Sequence, residues 1–451
     1  MKYEVRGTKS ISYFRLRKSY LTMNYYSLNN KSHKVSFQQA VVAGLAPDRG
    51  LYFPETITPL PDSFFTNIEN LSHEEIAFEA IKQFVGDEIP EAELKRIISE
   101  TLCFDFPCVP IEDNVFSLEL FHGPTMAFKD VGGRFMSRCL AYFNRDKDIK
   151  NTVLVATSGD TGGAVASGFL GVKGVEVIIL YPSGKVSDIQ ERQLTTLGQN
   201  IKALEVDGVF DDCQDMVKKA FLDDSLKHKN LTSANSINIA RWLPQMFYIF
   251  FAYQQLKKHN KPIILSCPSG NFGNICAGIM AKRLGLPIAH FVASTNANDT
   301  VPRFLEKGNY DPKPSIATNS NAMDVGNPSN FIRIQELYNN NLSEFYNDFS
   351  SYSYTDTETE IAIKDIYNRT KYIAEPHGAV GYLGLKKEMA KQPNSVGVFL
   401  ETAHPIKFLD TVEPLLNIKL PIPTQIESVL GKEKVRTKIK TYEEFKAFLN
   451  S

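Results

Sequence analysis

The sequence predicts an α/β fold in three layers, a parallel sheet covered by helices on both faces, and three observations predict it. Short apolar runs recur along the chain, each leads into a turn, and each turn leads into a segment of helical periodicity. A strand that is apolar all round must be covered on both faces, and a parallel neighbour needs a crossover that a helix supplies. With 451 residues, 43% of them hydrophobic and 22% charged, the chain can bury such a core and divides into two or three domains.

In chain order, Lys2, Arg6, Lys9, Arg15, Arg17 and Lys18 face a single acid, Glu4, within residues 1–22. That composition loosely fits a transit peptide, but an extension before a second plausible start at Met23 is preferred, and the segment is expected to be disordered. It has no apolar h-region, so secretion is not expected. Residues 23–106 combine a helical stretch at 74–85 with a Gly- and Pro-punctuated loop and strand at 46–54, which reads as an N-terminal α+β domain. The alternation is regular in residues 107–420, the catalytic unit. Strands are predicted at 152–157, 175–181, 201–206, 263–267, 288–293 and 396–400. Helices are predicted from 164 and at 188–197, 211–222 and 275–284. A long helical stretch at 237–258 should kink or break at Pro244, which lacks an N–H and crowds the preceding turn. Within the unit, 135–253 reads as a smaller mobile subdomain closing over a ligand. The asparagine-rich patch 339–347 reads as a loop or insertion, and the charged tail 421–451 as partly helical with no assigned role.

Composition removes some functions. A formal net charge of −1 provides no global field toward nucleic acid or anionic lipid, so any anion site must be local. No apolar run approaches the ~20 residues of a membrane span. The six cysteines form no paired CxxC set and no metal site is expected, so they read as buried thiols in a reducing, cytoplasmic setting.

The run His122-Gly123-Pro124-Thr125-Met126-Ala127-Phe128-Lys129-Asp130 holds the candidate nucleophile. A lysine among small and aromatic residues loses hydration, which lowers its pKa and frees the amine to attack a carbonyl. Two glycine turns follow strands and open helices, Ser158-Gly159-Asp160-Thr161-Gly162-Gly163 and Pro268-Ser269-Gly270-Asn271-Phe272-Gly273-Asn274. Such turns aim free N–H groups at an anion, although a single one serves equally well as turn geometry. Neither has the G-x-x-x-x-G-K-[ST] or full G-x-G-x-x-G pattern, which weakens a nucleotide-binding reading. The cluster Ser233-Ala234-Asn235-Ser236-Ile237-Asn238-Ile239-Ala240-Arg241 and the strand-end turn containing Lys185 and Ser187 suit an oxyanion, or an N-cap and surface charges. Thr402 follows a strand and could face a ligand or cap the next helix. His377 and His404 each stand alone, and a lone His is more often a satisfied structural residue than a catalyst.

Taken together, HGPTMAFKD, ATSGDTGGA, YPSGKVS, SANSINIAR, PSGNFGN, NDTVPRF, SNAMDV, EPHGA and ETAHPIKF resemble the motifs of the threonine synthases, over residues 23–416. The resemblance implies a pyridoxal 5'-phosphate enzyme of fold type II, like the tryptophan synthase β subunit. It implies a carbon–oxygen lyase that converts O-phospho-L-homoserine and water to L-threonine and phosphate, the last step of threonine biosynthesis. Related phospho-lyases and serine/threonine dehydratases are the alternative. By the same resemblance Lys129 holds the cofactor and serves as base, and Gly270, Asn271, Phe272, Gly273 and Asn274 cup its phosphate. Thr402 meets the ring nitrogen, and as a neutral hydroxyl it would not keep that nitrogen protonated. Ser158, Gly159, Asp160, Thr161 and Gly162 match the loop near the phenolic oxygen that grips the substrate carboxylate. Lys185, Ser187, Ser233, Asn235, Asn238 and Arg241 are candidates for the substrate phosphate. An ionised Asp160 would repel both phenolate and carboxylate, so protonation or an N-cap role are its expected alternatives. The expected partner is a small-molecule substrate, without nucleic acid or membrane, in a monomer or homodimer.

Overall fold

The parallel α/β architecture is divided between two sheets. The computed structural model describes residues 23–146 and 150–451, so the expectation for residues 1–22 lies outside the described residues. The larger sheet has the order Phe349–Ser353, His290–Thr295, Ile263–Pro268, Val396–Glu401, Val115–Glu119, Cys108–Glu112. Every pair in it is parallel except the last. The smaller sheet is parallel throughout, in the order Thr437–Ile439, Ile201–Val206, Val175–Pro182, Asn151–Ala156, Leu231–Ser233.

Strand side chains alternate between faces with period two, and the cores follow that alternation. Ile263, Leu265, Val396 and Val398 enter the main core with helices Met246–Leu256 and Gly273–Arg283. Ile264, Val292 and Phe399 face the other way, against Ala379, Tyr382 and Leu385 of helix Pro376–Met389. The smaller sheet divides likewise. Val153, Val155, Val177 and Ile179 join the main core, while Leu154, Ile178, Leu180 and Leu204 pack under helix Phe210–Leu222. Pro244 breaks the long helical stretch: helix Ile239–Trp242 passes through the 3₁₀ turn Leu243–Gln245 into Met246–Leu256.

Residues 23–106 form a three-stranded antiparallel sheet, Lys34–Ser36, Asn24–Ser27, Tyr52–Pro54, with helices that share the main core. Phe53 lies against Trp242 with ring centroids 5.9 Å apart, and the Tyr52 carbonyl accepts from Arg333 Nη2 at 3.0 Å. Part of the asparagine-rich patch is helical, Leu342–Asp348, entered through Asn339 and Asn340 at positive φ.

The tail is partly helical, as its sequence suggested, and it also adds a strand to the smaller sheet. Helix Thr424–Leu430 packs on helix Asp188–Thr195, strand Thr437–Ile439 pairs with Ile201–Val206, and helix Tyr442–Asn450 covers helix Phe210–Leu222 through the fully buried Phe445. No helix among the described residues is long and apolar enough to cross a membrane.

Candidate active site

Lys129 opens helix Lys129–Asn144 at the floor of a cleft between the two sheets. The preceding loop is stitched to the end of strand Val396–Glu401 by backbone bonds, Phe128 N–H to the Thr402 carbonyl at 2.9 Å and His404 N–H to the Met126 carbonyl at 3.1 Å. Met126 adopts φ 57°, and Asp130 accepts from the Thr125 N–H at 2.9 Å and hydroxyl at 2.6 Å, which fixes the turn. Lys129 and Thr402 are thereby placed at one site by adjoining segments more than 270 residues apart in sequence. Burial pulls the Lys129 amine down to about 8, against the attraction of Asp160 and with help from Arg241 and Lys407.

The second glycine turn forms one wall. Phe272 stands at φ 59°, helix Gly273–Arg283 begins there, and Asn271 is held by Ser236 Oγ (2.9 Å) and the Ser329 N–H (2.6 Å). The backbone N–H groups of Gly270, Asn271, Phe272, Gly273 and Asn274 have no acceptor among the described residues, and all five residues line the cavity. Five consecutive free donors at the positive end of an 11-residue helix suit an anion such as phosphate.

The first glycine turn is built differently from what its sequence suggested. Thr157 Oγ1 accepts the N–H groups of both Gly159 and Gly162, each at 2.9 Å. Those donors are spent inside the protein, so Gly159 and Gly162 do not reach the cavity, whereas Ser158, Asp160 and Thr161 do. Gly159 sits at φ 137°, and a Cβ there would lie 2.5 Å from the Gln190 side chain. Asp160 is neither a protonated acid nor an N-cap: its Oδ1 accepts from Lys407 Nζ at 2.8 Å and Gln190 Nε2 at 3.0 Å. Burial opposes its charge, but Lys407 and Lys129 outweigh that and hold its carboxyl well below the usual carboxylate range. Lys407, itself fully buried, compensates the charge whose presence here looked unfavourable.

Of the polar cluster, Asn235, Ser236 and Arg241 line the cavity. Arg241 donates Nη1 to the Ala234 carbonyl, and its buried Nε has no partner. Gly132 permits that placement, since a Cβ there would come 2.6 Å from the Arg241 carbonyl and 3.0 Å from its Nε. Burial lowers the guanidinium to about 10, partly offset by Asp130. The rest of the cluster is turned elsewhere. Asn238 caps helix Ile239–Trp242 and holds the Val41 and Ser233 carbonyls at 2.9 and 3.1 Å. Ser233 Oγ accepts from the Asn235 N–H at 3.3 Å, Ser187 caps helix Asp188–Thr195, and Lys185 is exposed in its turn. Capping uses up the same hydroxyls and amides that suit an oxyanion, which is why Ser187, Ser233 and Asn238 read as ligands in sequence.

Thr402 lines the cavity, and its hydroxyl donates to Glu375 Oε1 at 3.3 Å. Glu375 also accepts the N–H groups of His377 (2.8 Å) and Gly378 (3.2 Å) and His377 Nδ1. His377 Nε2 accepts from the Ala322 N–H at 3.1 Å, so its proton is on Nδ1. His404 only caps the turn after it, accepting from the Ile406 N–H at 3.0 Å. Lys407 and Glu375 were missed as site residues although ETAHPIKF and EPHGA contain them, and His377, read as a structural residue, lines the cavity. Phe210, Gln214, Ala322, Met323 and Val325 also line the cavity, the last three from SNAMDV. The residues fit pyridoxal phosphate: a neutralisable amine, a five-donor phosphate cradle and a strand-end hydroxyl open on one cavity.

Comparisons with known proteins agree with that geometry. The family model described as pyridoxal-phosphate dependent enzyme matches residues 106–401. Models described as the threonine synthase N terminus and the threonine synthase C-terminal region match residues 24–102 and 378–449. Threonine synthase of Haemophilus influenzae is 46% identical over 407 residues, which covers 90% of this chain and 94% of that one. The crystal structure of threonine synthase from Escherichia coli superposes with a TM-score of 0.90 at 40% identity, covering 95% of this chain and 100% of that chain. A threonine synthase of Brucella melitensis with pyridoxal phosphate bound superposes with a TM-score of 0.89 at 33% identity, covering 95% and 99% of the two chains.

Proposed function

The chain belongs to the threonine synthase family of pyridoxal-phosphate-dependent enzymes, and on that premise we propose how its own residues convert O-phospho-L-homoserine and water to L-threonine and phosphate. The observation that carries the proposal is the convergence of the Lys129 amine, the free N–H groups of 270–274 and the Thr402 hydroxyl on one cavity. Lys129 would hold the cofactor, Gly270 to Asn274 its phosphate, and Thr402 its ring nitrogen. When bound, the cofactor supplies an electron sink for charge that develops at the substrate carbons.

The Lys129 amine then carries the protons. It takes one from Cα and one from Cβ, whose electron pair forms the Cβ–Cγ double bond as the Cγ–O bond breaks and phosphate leaves. It then returns one to Cγ, and after water adds its hydroxyl at Cβ, the second water proton passing to the released phosphate or solvent, it restores one to Cα. Ser158 and Thr161, which line the cavity and whose backbone donors Thr157 does not take, would bind the substrate carboxylate. Arg241 and Asn235, which line the cavity, would meet its phosphate, since Arg241 forms no ion pair among the described residues and brings its positive charge there unmatched. The smaller sheet closes over the substrate, and the activity belongs in the cytoplasm. The test is equimolar release of phosphate and threonine from O-phospho-L-homoserine. A preference for serine or threonine as substrate would favour the dehydratase reading instead.

Two further outcomes are expected. Replacing Arg241 with Gln removes a charged hydrogen bond, typically about 1.5–3 kcal/mol, so KM for the phosphorylated substrate should rise about 10- to 100-fold with kcat less affected. An unchanged KM would remove Arg241 from phosphate binding. Capture of pyridoxal phosphate by cofactor-free protein requires the neutral amine. Its rate, followed by stopped-flow absorbance, should climb with pH and level off above about 8, where an ordinary lysine would keep gaining toward 10.5. A rate still rising at pH 10 would contradict the lowered Lys129.

A further inference from the structure

Behind the cup at 270–274 one arginine is buried without a counter-charge. Arg333 has no exposed surface, and no carboxylate pairs with it among the described residues. Its guanidinium lies over the Trp242 ring at 4.4 Å, and its hydrogen bonds go to neutral acceptors only. Nη2 donates to the Tyr52 carbonyl at 3.0 Å and the Ile237 carbonyl at 2.6 Å, and Nη1 to the Ser236 carbonyl at 3.1 Å and Asn330 Oδ1 at 2.8 Å. Burial lowers the guanidinium to about 10. A buried cation with no anionic partner is costly to keep, and neither the reaction chemistry nor the motif set has used this one.

The Asn330 contact carries Arg333 to the site. Asn330 is fully buried and precedes helix Phe331–Leu337 without capping it, so its side chain is free for other bonds. Guanidinium N–H groups only donate, so the amide presents Oδ1 to Arg333 and turns Nδ2 the other way. There Nδ2 donates to the Asn271 carbonyl at 3.0 Å and to Ser236 Oγ at 3.1 Å, and the Asn330 N–H reaches the same carbonyl at 3.4 Å. The Asn271 carbonyl is thereby drawn toward a residue that does not line the cavity. In a planar trans peptide the next N–H points the opposite way, so this grip turns the Phe272 N–H away from Asn330 and leaves it among the cup's free donors. At φ 59° Phe272 holds a conformation unfavourable for a residue with a Cβ, and the peptide needs an outside tether to stay in it. We propose that Arg333 is a positioning residue for the cofactor: through the Asn330 amide it locks the 271–272 peptide with its N–H toward the cavity, and so sets the affinity of the cup for the cofactor phosphate. The inference rests on the reading that residues 270–274 take that phosphate.

Arg333→Met and Asn330→Ala test the tether in the cofactor-free full chain, titrated with pyridoxal phosphate or with pyridoxal, which has the same aldehyde and no phosphate. The visible band of the lysine-bound ring reports the binding of both. Misplacing one charge-assisted donor of the cup should weaken pyridoxal phosphate about tenfold or more in each variant. Pyridoxal should bind as it does to the wild type. The double variant should be no weaker than Asn330→Ala alone, because the arginine acts through the amide. Equal losses for the two ligands would show a general structural role and overturn the proposal. An unchanged pyridoxal phosphate affinity in folded Arg333→Met overturns it as well, and so do losses that multiply in the double variant. Should Arg333→Met fail to fold, Asn330→Ala decides, since it leaves Arg333 the carbonyls of Tyr52, Ser236 and Ile237. A selective loss of pyridoxal phosphate there supports the tether, and an unchanged ratio of the two affinities overturns it. A wild-type protein that forms no band with pyridoxal phosphate overturns the cofactor reading, and the inference with it.

Discussion

Replacing Lys129 with alanine is expected to abolish both turnover and the visible absorbance of the bound cofactor, while leaving the fold intact. Proton transfer by one positioned side chain contributes about 10²–10⁴-fold. Lys129 is assigned several transfers and the attachment of the cofactor as well, so the loss should pass the upper end of that range. Stability should barely change. The amine lies 5.6 Å from the centre of the Phe128 ring and makes no hydrogen bond among the described residues, so alanine removes a desolvated cation and not a strut. The check is phosphate release and the absorption spectrum of the variant, with urea unfolding as control. Turnover within about tenfold of wild type would defeat the assignment of Lys129 as base.

The second large effect should come from a residue that does no chemistry. Lys407→Met leaves the buried Asp160 with Gln190 as its remaining hydrogen-bond partner and only the more distant Lys129 charge, and removing one partner of a buried pair typically costs about 3–5 kcal/mol. Lys407 follows the larger sheet's strand Val396–Glu401, and Asp160 opens helix Asp160–Phe169 of the smaller sheet's layer, so the pair joins the two halves beneath the cleft. The double variant Asp160→Asn, Lys407→Met should recover much of the loss, because it removes both charges at once. Urea denaturation of the two single variants and the double variant measures the coupling. A loss below about 1 kcal/mol for Lys407→Met would show that solvent or another cation compensates Asp160.

The sequence foretold most of what local pattern controls. Continuous apolar runs announced the central strands, because a strand covered on both faces has no choice of composition. Pro244 announced its own break, and the motif set brought Lys129, the cup at 270–274 and Thr402 to one place. What was illegible depended on long-range pairing. Thr437–Ile439 is three residues with two exposed side chains, and nothing local distinguishes it from loop. Gly159 and Gly162 looked like anion donors because a sequence does not say that a Thr157 hydroxyl will occupy their N–H groups. Ser187 and Asn238 look alike as caps and as ligands, since one hydrogen-bonding inventory serves both uses. Lys407 went unnoticed for a different reason: lysines are mostly surface charges, and only its burial against Asp160 marks it.

The tail strand bears on how the protein is made. Until residues 437–439 emerge from the ribosome, Ile201–Val206 stands as an unpaired parallel edge of a sheet whose other strands were synthesised some two hundred residues earlier. Exposed edges of that kind recruit other chains, and pairings this distant in sequence are slow to close. Residues 421–451, none of which lines the cavity, therefore set the interval during which the nascent chain is open to aggregation, and a chain stalled before 437–439 would retain that edge.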